Sequence, residues 1–509
     1  MKFSSHADNR KVILKIDFLV EWFVMLKTCL FIMSSVVCCN AMAEQWQDLQ
    51  SLLPKGTQVS YLVVDANTQK EVASFQQETL RTPASVQKLL TATTAKLALG
   101  SDFKYQTVIE GDKKQLNQGI YKGDLSLRFM GDPTLTRQHI RELLQDIKRL
   151  GVNKIEGDFL LDNSFFNGYQ WSNGQAWNDL GVCYTSPSNA IIVNRNCVQG
   201  NLSLASDDAE KATLFIPAYE PVDITSDVSV VTKKQRAEQF CDLEITRDSH
   251  NKYHLWGCMV PRKRAFPLAF AVNDPNTYAQ KIIKAELKQV GINLIGAVEI
   301  KDKNKANEAI KPVAPSIFAS HQSDSLNILL TRMMKRSDNL IADSLFKTIG
   351  AHYYQQPGNF RNGAKAMKAI LKSNGVNLEN AYIADGSGLS RHNLMSAELF
   401  MSVMQFVYQQ DKKLGLLNTF SISGIDGTLK YHRGVNAPEL KGKVVAKTGS
   451  LKGVANLAGI VKSDTGDKLF VLMTNGYNPV NSSVKAKLPR DKKASIYLFE
   501  KAFFNRIFN

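Results

Sequence analysis

The stretch Thr82-Pro83-Ala84-Ser85-Val86-Gln87-Lys88-Leu89-Leu90-Thr91-Ala92 sets a serine and a lysine three residues apart at the start of a helix. Pro83 suits a first turn, where its missing N–H costs nothing. Val86, Leu89, Leu90, Ala92, Leu97 and Ala98 recur at helical spacing, so this helix enters a core. Ser85 and Lys88 then share one face. A serine hydroxyl is a poor nucleophile until a neighbouring base takes its proton. A lysine becomes that base when a dry site and nearby positive charge lower its pKa. The helix N-terminus adds unpaired N–H groups and positive dipole beside the serine. The spacing alone is weak. It recurs at Ser101/Lys104, Ser249/Lys252, Ser344/Lys347 and Ser482/Lys485, where it reads as an ordinary helix turn.

Two further motifs change that reading. Ser337-Asp338-Asn339 is the one S-D-N in the chain and falls between two apolar-periodic stretches, Ser325–Arg336 and Leu340–Ile349. By itself it reads as a helix-capping turn, since all three residue types favour caps. Lys447-Thr448-Gly449 is also unique and ends the apolar run Val444-Val445-Ala446. A lysine and a hydroxyl followed by glycine there let a ligand backbone approach a strand edge.

The set S-x-x-K, S-D-N, K-T-G, in that order and in those settings, resembles the signature of penicillin-binding proteins and serine β-lactamases. The long gap between Ser85 and Ser337 resembles one branch of them. This is the penicillin-binding protein 4 type, the class C low-molecular-mass D-alanyl-D-alanine carboxypeptidase/endopeptidase family. Phe129-Met-Gly-Asp-Pro-Thr-Leu135, Trp177-Asn-Asp-Leu180, Asn194-Arg-Asn-Cys197, Asp385-Gly-Ser-Gly-Leu-Ser-Arg391 and Gly424-Ile-Asp-Gly-Thr428 are similar to segments of that family. The resemblance implies an α/β (α+β) transpeptidase-like domain, an antiparallel sheet flanked by helices, with two nested β-rich inserts. The catalytic part would be residues 44–102 and 314–509, the first insert 103–203 and 267–313, and the second 204–266.

The resemblance also implies roles. Ser85 is the nucleophile and Lys88 its base. Ser337 passes a proton to the leaving amine, with Lys447 tuning that hydroxyl. Asn339 holds the substrate amide and orients Lys88. Lys447 and Thr448 hold the terminal carboxylate beside Gly449, and Ser450 supplies an oxyanion-hole N–H together with Ser85. Asp179 meets the free amino end of a diaminopimelate side chain, against the plainer reading of a turn-capping Asp. Ser387, Arg391 and His392 either line the cleft or form a structural turn. The partners implied are peptidoglycan peptides and β-lactams, with no cofactor and no metal. A serine β-lactamase and a non-catalytic peptidoglycan-binding protein are the rival functions. The size of the insert and the absence of a recognisable deacylation glutamate argue against the first. The intact Ser85, Lys88, Ser337 and Lys447 argue against the second.

The chain's formal net charge of +16 suits an acidic partner, but the charges are scattered, without a long Lys/Arg run or an RNA motif. No nucleic acid is expected; a solvated basic surface is the plainer reading, with loose peripheral association with an anionic wall or membrane as the alternative. From Met25 a short basic start leads into an apolar run and Ala41-Met42-Ala43, a small-x-small cleavage pattern. A cleaved leader within residues 1–43, a true start at Met25 and a mature periplasmic chain from Glu44 are the expectation, with an uncleaved anchor as the alternative. Removing the leader leaves Cys183, Cys197, Cys241 and Cys258. An even number in an exported chain suggests disulfides. Of three connectivities the short-loop pairing, Cys183–Cys197 with Cys241–Cys258, is expected. A metal site is the rival, and no zinc-type spacing supports it.

Overall fold

The computed structural model describes residues 48–206, 209–301, 315–464, 466–477 and 496–508. The expected leader and the mature start at Glu44 lie outside them. The apolar run Val444-Val445-Ala446 belongs to one six-stranded antiparallel sheet. Its members are β1 (Gln58–Asp65), β2 (Glu71–Phe75), β3 (Ser421–Ile422), β4 (Val444–Leu451), β5 (Val454–Val461) and β6 (Lys468–Asn475), in the spatial order β3-β4-β5-β6-β1-β2. Side chains alternate across a strand, so each continuous apolar run feeds two cores. Tyr61, Val63, Phe470 and Leu472 share one core with Phe499, Phe503 and Phe504 of the closing helix α6. Leu62, Val64, Leu469 and Val471 share the other with five helices. These are α1 (Lys88–Leu99), α2 (Leu326–Arg336), α3 (Asn339–Tyr354), α4 (Phe360–Ser373) and α5 (Ala397–Leu414); α6 spans Ile496–Phe508. Each fully buried Leu or Phe side chain contributes roughly 2 kcal/mol. Helix α3 is buried almost all round from Leu340 to Ala351, so its polar residues Asp343, Ser344 and Lys347 sit inside the protein.

The chain between α1 and α2 forms a second body. Its five-stranded sheet runs Val298–Ile300, Phe159–Asp162, Leu125–Arg128, Gln106–Gly111, Ser316–Gln322. Ser316–Gln322 pairs antiparallel with Gln106–Gly111, so it joins this sheet although the expected boundary lies at residue 314. Helices Arg137–Arg149 and Pro275–Val290 pack on it, capped by Thr136 and Asp274. Residues 197–271 add a three-stranded and a four-stranded sheet whose Leu202, Tyr253, Leu255 and Phe270 share the same core. Val228–Thr232 reads as a strand, but only Ser229–Val230 is one. Thr232 instead caps a short helix, its hydroxyl accepting from Gln235 N. Both short-loop disulfides are present, Cys183–Cys197 and Cys241–Cys258. Among the described residues no helix is long and apolar enough to cross a membrane.

Glu500 on α6 is buried; one carboxyl oxygen accepts no hydrogen bond and lies 3.7 Å from His432 Nδ1. Burial raises its pKa from 4.5 to about 8, while burial also lowers that of the neighbouring His432. The native state thus keeps a proton that the unfolded chain releases above pH 4.5. Stability should fall as pH rises from there to about 8. Glu500→Gln is expected to melt several degrees higher than the parent near the top of that range, with the gap closing toward pH 4.5. A pH-independent gap in thermal melts would refute this.

Candidate active site

The serine turn is held from three sides. Ala84–Gln87 is a 3₁₀ turn and α1 begins at Lys88, so Ser85 precedes the α-helix rather than opening it. Ala84 takes φ +49°, rare for a residue with a Cβ. The Asp385–Arg391 loop presses on it: a Cβ on Gly388 would lie 1.9 Å from Ala84 O. From the sheet, Asn456 Nδ2 donates to Thr82 O and Pro83 O, both at 2.9 Å. Asn475 Oδ1 accepts from Thr82 N at 3.0 Å. A Cβ on Gly449 would meet Pro83 O at 2.6 Å and Val86 N at 2.9 Å. This glycine therefore lets β4 reach the serine turn, a reason the sequence did not suggest.

Lys88 is fully buried. Its Nζ donates to Ser85 Oγ at 2.8 Å, Asn339 Oδ1 at 2.7 Å and Ser387 O at 2.6 Å. Burial pushes its pKa well below the ordinary lysine value, opposed by the charges of Asp343, Asp385 and Asp338. The S-D-N segment divides its labour. Ser337 ends α2 in the left-handed region at φ +56°, and Asp338 caps α3 by accepting from Ile341 N. Asn339 is the first residue of α3, and turns its amide to Lys88.

Lys447 is also fully buried; burial first, then the charge on Lys88, holds its pKa well below the usual range. Its Nζ donates to Ser337 Oγ at 3.0 Å and Thr448 O at 2.7 Å. Thr448 Oγ1 donates to Thr428 Oγ1 at 2.9 Å. Strand β3 covers only Val445 and Ala446 of β4. Among the described residues no strand pairs with the outer edge from Lys447 to Leu451, where Ser450 is exposed. An extended peptide can add to such an edge.

Asp179 ends a 3₁₀ turn, Trp177–Asp179, and reaches the cluster through Tyr184. The Asp179 carboxylate lies near the Tyr184 hydroxyl; burial first, and that carboxylate second, raise the phenol's pKa. Tyr184 O accepts from Asn339 Nδ2 at 2.8 Å. Arg195 of the same body pairs with Asp338 at 2.6 Å. Cys183–Cys197 stands beside both contacts and so ties the two points where this body meets the S-D-N turn. Ser387 touches Lys88 with its carbonyl, not its hydroxyl, which accepts from Leu389 N. Arg391 donates to Lys452 O at 3.1 Å, and His392 packs against Gly174. Sequence reasoning missed Tyr184, Arg195 and Asp343. The charged pair Asp343 and Lys347 within the apolar-periodic stretch Leu340–Ile349 was the available signal for the last.

A family model described as D-Ala-D-Ala carboxypeptidase 3 (S13) family matches residues 40–501. The D-alanyl-D-alanine carboxypeptidase DacB of Haemophilus influenzae is 37% identical over 462 residues, 91% of this chain and 93% of that protein. A D-alanyl-D-alanine carboxypeptidase of an Actinomadura species is 24% identical over 453 residues, 86% of this chain and 82% of that protein. The crystal structure of penicillin binding protein 4 from Haemophilus influenzae superposes with a TM-score of 0.83 at 35% identity, covering 91% of this chain and 99% of that one. Its complex with a β-lactam superposes with a TM-score of 0.79 at 34% identity, with the same coverage.

Proposed function

The chain belongs to the D-Ala-D-Ala carboxypeptidase 3 (S13) family of serine hydrolases, and on that premise we propose how its residues cleave peptidoglycan stem peptides and cross-links. The carrying observation is the 2.8 Å contact between Ser85 Oγ and a fully buried Lys88. Lys88 takes the hydroxyl proton as Oγ attacks the carbonyl of the penultimate D-alanine. The N–H groups of Ser85 and Ser450 receive the oxyanion. Ser337, poised on Lys447, passes a proton to the leaving amine, the C–N bond breaks, and water then hydrolyses the ester on Ser85. The peptide adds to the free edge of β4 beside Gly449, its amide held by Asn339 and its terminal carboxylate by Thr448 and Lys447. A β-lactam acylates the same hydroxyl.

Periplasmic export by a leader ending at Ala43, and loose association with an anionic wall, belong to the same reading. So does the division into catalytic residues 44–102 and 314–509, an insert of 103–203 and 267–313, and a nested insert of 204–266. The separate six-stranded sheet supports it. The pairing of Ser316–Gln322 and the core common to both inserts favour a later return and one inserted body.

Asp179, beside Tyr184, faces an ammonium group of the substrate. The test compares D-Ala release from pentapeptides carrying a free or an acetylated diaminopimelate side chain. The parent should prefer the free amine, and Asp179→Asn should lose about tenfold of that preference, mainly in KM. An unchanged preference in the variant would remove Asp179 from the subsite.

A further inference from the structure

Behind Lys88, helix α3 places a carboxyl that the mechanism above does not use. Asp343 is 6% exposed. Its Oδ1 accepts from Gly386 N at 3.1 Å and Ser387 N at 2.9 Å. Ser387 then turns its carbonyl to Lys88 Nζ. Thr91 of α1 holds Gly386 O from the other side at 2.7 Å, so this peptide is fixed between two helices. Asp385 is committed elsewhere. Its two oxygens accept from Gly388 N, Asn393 Nδ2, Ser390 N and Ser172 Oγ, which shapes the loop itself. Lys347, one turn further along α3, donates to Tyr169 O and Ser188 O.

We propose that Asp343 is a positioning residue for Lys88, acting through the Ser387 peptide on the lysine's orientation and through its own charge on the lysine's proton. The proposal rests on the reading of Lys88 as the base for Ser85. When Lys88 takes the hydroxyl proton, a new ammonium forms on a fully buried side chain, and a nearby carboxylate stabilises it. The charged groups acting on Lys88 are Asp343, Asp385, Asp338 and Lys447. Those acting on Asp343 are Asp385, Lys88 and Lys347. Of the three carboxylates that oppose the effect of burial on Lys88, Asp343 acts most strongly. Burial, then Asp385, raise the pKa of Asp343 itself, while Lys88 lowers it.

The test follows acylation by a fluorescent penicillin as a function of pH, beside thermal melting. Asp343→Asn keeps an oxygen for both N–H groups and removes the charge. Its rising limb should move to lower pH by about half a unit or more, because the lysine holds its proton less well. Asp343→Ala also removes the acceptor and should acylate about tenfold more slowly again at its optimum. A purely structural residue would change the melting temperature and leave the pH profile in place. An Asp343→Asn profile superimposed on the parent's overturns the charge role. An Asp343→Ala rate equal to that of Asp343→Asn overturns the positioning role. Should Asp343→Ala fail to fold, the Asp343→Asn profile decides. A parent that takes no penicillin at all would instead defeat the underlying reading of Ser85 and Lys88.

Discussion

Incubated with benzylpenicillin, the protein is expected to gain the mass of one drug molecule, and Ser85→Ala none. The half-buried Ser85 hydroxyl faces the buried Lys88 amine, with the free edge of β4 alongside. Opening the β-lactam ring leaves the acyl group covalently on the serine, so an adduct reports the nucleophile directly. Acylation should drop more than about 10³-fold without it, as members of one catalytic unit fail together. The variant should still fold. Its loss takes one of three partners from Lys88 and leaves Asn339 and Ser387 in place. Drug turnover without a persistent adduct would point to a β-lactamase, and neither adduct nor turnover to a non-catalytic wall-binding protein. An adduct that survives in Ser85→Ala would move the nucleophile elsewhere.

The sequence carried the parts of this site that are local. Three short motifs each hold their chemistry within three or four residues; S-D-N and K-T-G lie where their flanking periodicity put them, while Ser85 sits one turn ahead of the helix start. The disulfides were equally legible, because short loops bring cysteines together at small entropic cost. Illegible were the contacts between distant segments. Tyr184 meets Asn339 across 155 residues and Arg195 meets Asp338 across 143, and no periodicity reports such pairings. Gly449 illustrates a right residue with an incomplete reason. Glycine at a strand end suggested room for a ligand, whereas its hydrogen faces Pro83 O and Val86 N. Ser344/Lys347 shows the opposite case. The repeated S-x-x-K spacing read as a plain turn, yet Lys347 is buried and clamps two carbonyls of the inserted body. Spacing alone does not separate a base from a clamp; what lies across the cleft does.

Lys88→Met should separate activation of the serine from folding of the site. Methionine fills nearly the same volume and carries no proton. Besides Ser85 Oγ, two acceptors, Asn339 Oδ1 and Ser387 O, then lose their donor, at about 1–3 kcal/mol each. Against that, the protein no longer desolvates an ammonium, a term of several kcal/mol after relaxation. The two effects oppose each other, so melting should shift by only a few degrees. Acylation and D-Ala release should both fall by about 10³-fold, since the nucleophile loses its base. Any residual rate should also lose the inflexion below the ordinary lysine range that Lys88 gives the parent, because the titrating group is gone. A variant acylated within tenfold of the parent would assign the base elsewhere. Lys447 would then lead, because it too is fully buried, depressed by burial and by Lys88, and already bonded to a serine hydroxyl. That outcome would route the Ser85 proton through the Ser337 hydroxyl to Lys447.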